Sequence, residues 1–376
     1  MMKNVSMMKR LLVIIAAVCA LMSNAAYAGS TGRQNGQRGE REDNQHGQPL
    51  ALAVFGDWPY SQALLDAAPL LLDSINSDPK VRLVLHIGDI HSGSMPCTGA
   101  GLNPIPAAAN PTWNIGIFSI FEQFKDPLVY TPGDNEWTDC HKAKEGSSGD
   151  PLKELASVRS LFFPEPGITL GGRKKRVLTQ AESYDPHFPS DAQFVENVMW
   201  EDARVIFVTI NLPGSNNDTL PWTGVFSNPT AQAKEVADRT EADIRWLDRA
   251  FAQAEAEDAR AVLIGLQADM WDLAQIAPGG DGLNQYTTIV QKIADLSVRF
   301  GRPVLLINGD SHKFEADQPL ADPTSATGII HGTQAVPNLT RITVQGSTNT
   351  PSEWLRLTIE PRLPGVFSWE NVVYLP

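Results

Sequence analysis

The sequence predicts an α/β fold, a four-layer α/β/β/α sandwich in which two mixed sheets pack face to face with helices outside. Strand-length apolar runs alternate with helical patterns through most of the chain, which is the signature of βα units. The C-terminal region instead alternates apolar and polar residues as antiparallel strands do. Finally, five apolar runs stop at a polar cluster: Phe55-Gly56-Asp57, Ile87-Gly88-Asp89, Pro132-Gly133-Asp134-Asn135, Gly265-Leu266-Gln267-Ala268-Asp269 and Asn308-Gly309-Asp310-Ser311-His312.

Taken in order, Pro49 to Phe55 reads as a buried strand, and Ser61 to Ile75 has apolar residues at helical spacing with Ser61 as N-cap. Val81 to Ile87 is the second strand, followed by a Gly, Pro and Ala rich loop from Ser92 to Pro111. A helix over Asn114 to Phe124 leads to a short strand at Leu128 to Thr131, and Pro151 to Phe162 is helical. Val177 to Phe194 is irregular, with room for a hairpin. Ala203 to Ile210 is a strand that ends in the polar run Asn211 to Asp218. The longest helix covers Ala231 to Glu257, where Ile244, Trp246, Leu247, Ala250 and Phe251 form one apolar face. Strands at Ala261 to Ile264 and Pro303 to Ile307 flank a helix at Tyr286 to Phe300. Leu339 to Val344, Trp354 to Ile359 and Gly365 to Trp369 complete the chain as an antiparallel set.

The 376 residues, 42% apolar and 19% charged, suit one globular core after the N-terminal segments. A net charge of -13 argues against nucleic-acid backbone as a partner. The basic run Arg173 to Arg176 reads as a solvated turn. Lys3, Lys9 and Arg10 precede an apolar stretch from Leu11 to Met22 and then Ala26-Tyr27-Ala28, the pattern of a signal peptide cut after Ala28. Residues 29 to 48 have almost nothing apolar and are expected to form a disordered linker, leaving 49 to 376 as a single domain. The expected location is periplasmic or secreted, with no membrane-spanning segment in the mature chain. Export also places Cys97 and Cys140 where disulfides persist, so these two are expected to pair.

The strand-end clusters have the layout of a metal site. Strand ends at one edge of an α/β sheet converge, so acidic residues placed there from distant parts of the chain meet. Unscreened carboxylates at about 4 Å repel by roughly 4 kcal/mol per pair at an effective dielectric near 20, unless a cation intervenes.

In spacing and order the five segments resemble the calcineurin-like metallophosphoesterase family, over Leu50 to Ile359. The family pattern is Asp-x-His, Gly-Asp, Gly-Asn-His-Glu/Asp, a single His, then Gly-His-x-His. Leu85-His86-Ile87-Gly88-Asp89 matches its segment well. Elsewhere Pro59 stands where a ligand His belongs, Asp134 and Asn135 replace the family's Asn and His, and Gln267 replaces the single His. Of Gly-His-x-His, the last segment keeps His312 and carries Asp310 for the first His. The resemblance implies one metal on Asp57, Asp89 and His312, and a second on Asp89, Asp134, Gln267 and Asp310, with Asp89 bridging. The replaced histidines leave one ion or two open, and His91 or Asp269 is placed to fill a vacated position.

Mostly oxygen ligands favour manganese or magnesium over zinc or iron, with calcium also compatible. The implied reaction is in-line attack of a metal-activated water on a small phosphate ester. Asn135, in the place of the family's acid, offers no acidic proton. Either His91 or His141 serves, or the favoured esters have leaving groups that need none. The alternative is a non-catalytic relative that keeps a structural divalent cation as an envelope or binding protein. His86 reads as a core histidine, and His187 and His331 as surface residues. Trp58, Trp137 and Trp271 are candidates for pocket walls or for core packing. The run Pro213 to Asn217 offers either phosphate-binding amides or a polar loop. Specificity is expected in the loops 92–113, 136–150 and 211–228.

Overall fold

Seven strands of one sheet and five of another carry the chain's apolar runs. The computed structural model describes residues 49–97, 113–142 and 149–375. The expected signal peptide and linker, and most of the 92–111 loop, lie outside the described residues. Strands β1 (Leu50–Phe55), β2 (Val81–Ile87) and β3 (Leu128–Thr131) run parallel. With β11 (Ser352–Ile359) and β12 (Phe367–Leu375) added antiparallel beyond β1, they form a five-stranded sheet in the order β12-β11-β1-β2-β3.

The seven-stranded sheet has the order β4-β5-β6-β7-β8-β10-β9. Its centre, β6 (Val205–Thr209), β7 (Ala261–Gly265), β8 (Val304–Asn308) and β10 (Leu339–Thr343), is parallel. Its edges are antiparallel, formed by β4 (Leu178–Thr179) and β5 (Val198–Asp202) on one side and β9 (Glu315–Asp317) on the other. The protein is thus a mixed α/β fold with two mixed sheets.

Alternation along the strands distributes the core. Leu52, Val54, Leu85 and Ile87 of the first sheet join Phe207, Leu263, Leu305 and Ile342 of the second in one cluster between the sheets. Ile206, Val208 and Ile264 point the other way, as period-two side chains must. They pack with Trp246, Leu247 and Phe251 of α4 (Pro229–Ala256) and with Ile289 and Ile293 of α5 (Thr287–Phe300). On the far face of the first sheet, Ala53, Val84 and Tyr130 meet α1 (Ala68–Asn76), α2 (Trp113–Phe121) and α3 (Pro151–Phe162) through Leu71, Ile117, Phe121 and Phe162.

Several elements differ from expectation. Ser61 does cap a helix, its Oγ accepting from the Leu64 N–H at 3.3 Å, but that helix ends at Asp66 and α1 starts afresh at Ala68. Pro69, which has no N–H to donate to the preceding turn, sits at the new start. Ala203 is not in a strand: with Arg204 it forms the left-handed turn (φ 49° and 60°) of a β5–β6 hairpin. The strand at 339–343 belongs to the second sheet, parallel to β8, rather than to an antiparallel C-terminal set.

Candidate metal centre

Because β1, β2 and β3 are adjacent and parallel, the residues after them meet at one edge of the first sheet. The same holds for β6, β7 and β8 in the second. Asp57, Asp89 and Asp134 therefore face Gln267, Asp310 and His312 across the gap between the sheets. Asp57, Asp89, Asp310 and His312 all have positive φ, 49°, 59°, 73° and 64°. Such conformations cost of order 1–3 kcal/mol each in a non-glycine residue and gather at functional sites. Two motif glycines make the approach possible. A Cβ on Gly133 would fall 2.0 Å from Asp89 Oδ1, and one on Gly309 would fall 2.3 Å from Asp57 Oδ2.

Asp57, Asp89 and His312 each offer a ligand atom within 4.8 Å of the others, the one such grouping among the described residues. Asp57 is held by the Asp310 N–H, at 3.1 and 3.2 Å from its two oxygens. Asp89 Oδ2 accepts from Tyr60 Oη (2.9 Å), Asn135 Nδ2 (3.0 Å) and Gln267 Nε2 (3.2 Å), while Oδ1 accepts from the Asn135 N–H at 3.2 Å. His312 Nε2 lies 3.2 Å from Asp57 Oδ1, and its Nδ1 lies 3.2 Å from Thr348 Oγ1.

Burial, followed by the charges of Asp134, Glu136, Asp57 and Asp310, pushes the Asp89 carboxyl well above its ordinary range. Burial and then Asp134 do the same to Asp310, against the Asp269 N–H that its carboxylate accepts at 2.9 Å. Burial alone would lower His312, but the hydrogen bond and charge of Asp57 outweigh it and raise the imidazole. A set of carboxylates displaced this way holds charge poorly without a compensating cation.

Tyr60, three residues beyond Asp57, is the site residue that sequence reasoning missed. Its hydroxyl stands among the three ligands, 3.2 Å from Asp57 Oδ1, 2.9 Å from Asp89 Oδ2 and 3.2 Å from His312 Nε2, and it accepts from Asn135 Nδ2 at 3.1 Å. Burial and the surrounding carboxylates keep the phenol protonated by raising it well above its usual value. The four groups thus converge on one point. Two carboxylates and an imidazole so arranged could hold a metal ion.

The remaining candidates fall in other places. Gln267 approaches Asp89 and Asp134 through its amide nitrogen, not the oxygen a ligand would use, because Oε1 accepts from the Gly214 N–H at 2.6 Å. Asp134 Oδ2 lies 3.2 Å from the Ser215 hydroxyl, which also reaches Asp139 Oδ1 at 2.7 Å. Asn135 acts as a donor to Asp89 and Tyr60. His141 Nδ1 accepts from the Thr223 N–H at 3.1 Å, and His91, fully buried, has Nδ1 3.2 Å from Ser92 O. Those contacts tie both histidines to loop backbone. Asp269 is committed to Arg341 (3.1 Å) and Ser311 (2.7 Å) and does not fill a ligand position.

Cys97 and Cys140 form a disulfide, tying the loop after Asp89 to the loop after Asp134. The run Gly214 to Asp218 is a buried left-handed turn, with φ of 52°, 51°, 63° and 59° at Ser215, Asn216, Asn217 and Asp218. Asparagine and aspartate tolerate that region through short polar side chains. Trp58, Trp137 and Trp271 are buried, with Trp58 and Trp271 packed into apolar core clusters. His331 is buried too, against Met270 O at 3.0 Å, rather than on the surface. Arg173 to Arg176 is a largely exposed turn paired with Asp126, Glu122, Asp202 and Glu182.

No protein-family model and no curated protein matches this chain. Among solved structures it is similar to one titled "GAP50 the anchor in the inner membrane complex of Plasmodium", at 10% identity and a TM-score of 0.42 over 86% of this chain and 89% of that one. Among the described residues no helix is long and apolar enough to cross a membrane.

Proposed function

We propose that the chain is an exported, metal-dependent phosphoesterase of the calcineurin-like metallophosphoesterase kind, with that family's four-layer α/β/β/α sandwich, acting on a small phosphomonoester or phosphodiester. The observation that carries the reading is the convergence of Asp57, Asp89 and His312 from two sheets onto one point. These three would hold a divalent cation, with manganese the best match to two carboxylates and one imidazole. When bound, the cation supplies Lewis acidity and an activated water for in-line attack at phosphorus. The protein's own part is positioning. The Asp310 N–H fixes Asp57, and the neutral donors Tyr60 and Asn135 orient Asp89.

The position of Tyr60 favours a second reading, a binding or envelope protein of the same fold. Its hydroxyl stands within hydrogen-bond distance of all three ligands, where a cation would otherwise sit. One assay separates the two. The purified protein is tested for hydrolysis of aryl phosphate mono- and diesters with Mn, Mg, Ca or Zn, beside Asp89→Ala. Turnover that needs an added metal and is lost in Asp89→Ala is expected; absence of turnover with every metal, or full turnover in the variant, sinks the enzyme.

A further inference from the structure

Gln267 stands between the two carboxylates that would share a second cation. Its Nε2 is 3.2 Å from Asp89 Oδ2 and 3.0 Å from Asp134 Oδ1, so each amide hydrogen faces one carboxylate. Its orientation is fixed from behind. The Gly214 N–H is a donor and needs an acceptor, which in this side chain is Oε1 alone, at 2.6 Å. Gly214 is in turn set by the left-handed turn that follows it. Arg239, wholly buried on α4, grips that turn by donating to Asn217 Oδ1 (2.5 Å) and Asn217 O (3.3 Å), and it holds the chain leading into it through Asn211 O (3.3 Å). Gln267 is itself fully buried and has no solvent space to swing into.

We infer that the Gln267 amide is a built-in substitute for a second metal ion, so that the centre takes a single cation at Asp57, Asp89 and His312. Two N–H groups do locally what a bridging cation would do, placing positive charge between Asp89 and Asp134. A cation cannot share that position, because the amide hydrogens point at the oxygens it would need. Asp134 is accordingly a positioning residue that anchors Gln267 and Ser215. The inference rests on the metal-centre reading above and deepens it to a stoichiometry.

The decisive variant is Gln267→Glu, which exchanges the NH2 for an oxygen of nearly equal size and leaves the other oxygen for Gly214. Chelator-stripped full-length protein is titrated with Mn2+ by calorimetry, and the loaded protein is examined by electron paramagnetic resonance. The wild type is expected to bind one Mn2+ per chain with the spectrum of an isolated ion. Gln267→Glu is expected to bind two, with the broadened signal of a coupled pair, and to be purified in Mn2+ should its metal-free form not fold. Two ions per chain in the wild type overturn the inference while leaving the metal centre standing, as does one ion in folded Gln267→Glu. No ion in either protein overturns the metal centre and the inference together.

Discussion

Replacing His86 by phenylalanine removes a pH sensitivity that the fold imposes on the wild type. His86 lies on β2, three residues before Asp89, with no exposed surface. Its ring packs on Phe55 at 4.8 Å, Phe121 at 5.0 Å and Tyr130 at 5.7 Å between centroids, and its Nε2 lies 3.3 Å from Trp58 O. Burial in that aromatic cage lowers the imidazole to about 3, against a small opposing pull from the Trp58 carbonyl. In the unfolded chain the same group titrates near 6.5. Above that value both states are neutral and His86 has no pH-linked effect. As the pH falls from about 6.5 towards 3, the unfolded chain takes up the proton and the native protein does not, so stability is lost. At pH 5 the loss amounts to about 2 kcal/mol, from 1.36 kcal/mol for each pH unit below the unfolded value. Urea unfolding of wild type and His86→Phe at pH 8 and pH 5, both chelator-stripped, isolates this contribution because the other groups cancel. The wild type should lose about 2 kcal/mol more than the variant between the two pH values. Parallel losses would show that the ring is reached by water or paired in a way the cage does not provide.

Two further predictions concern what holds the site in place. Arg341, 3% exposed, pairs with Asp269 (3.1 Å) and Asp317 (2.8 Å), and Asp269 is equally buried. Arg341→Leu strands that carboxylate and should cost about 3–5 kcal/mol in a denaturant midpoint, partly restored by adding Asp269→Asn; a loss below about 1 kcal/mol would refute it. The Cys97–Cys140 bridge spans 43 residues, and its removal by a double change to serine should cost about 4 kcal/mol in the chain-entropy model. An unchanged melting temperature would count against that account.

Apolar strands were legible because a continuous run of β-branched and aliphatic residues bounded by Gly, Asp or Asn has few other uses. Helix α4 was legible because its apolar face repeats over several turns. Strand pairing was not: β10 reads like the strands after it, and what makes it parallel to β8 is a partner over thirty residues earlier. Strands β5, next to one edge, and β9, at the other, carry Glu and Asp beside their apolar residues, which blurs the pattern. In the site, strand-end position made Asp57, Asp89 and His312 candidates among several, and it was the family resemblance that grouped these three. Tyr60 followed from neither, since nothing in Asp57-Trp58-Pro59-Tyr60 says which way the phenol turns. Nor was the orientation of Gln267 legible, because a backbone N–H some fifty residues earlier decides which end of its amide faces the carboxylates.

The centre draws its groups from both sheets, with Asp57, Asp89 and Asp134 on one side and Gln267, Asp310 and His312 on the other. The Asp310 N–H on Asp57 and the Gln267 amide on Asp89 and Asp134 are therefore stitches across the seam between the two halves of the molecule. Apolar side chains join those halves below, and this polar network fastens them at the rim. A cation at this rim would rivet one half to the other, adding about 2.7 kcal/mol at a hundredfold excess over its dissociation constant. Substitutions in the site then loosen the architecture as well as the chemistry, and resistance to unfolding becomes a gauge of occupancy that needs no substrate.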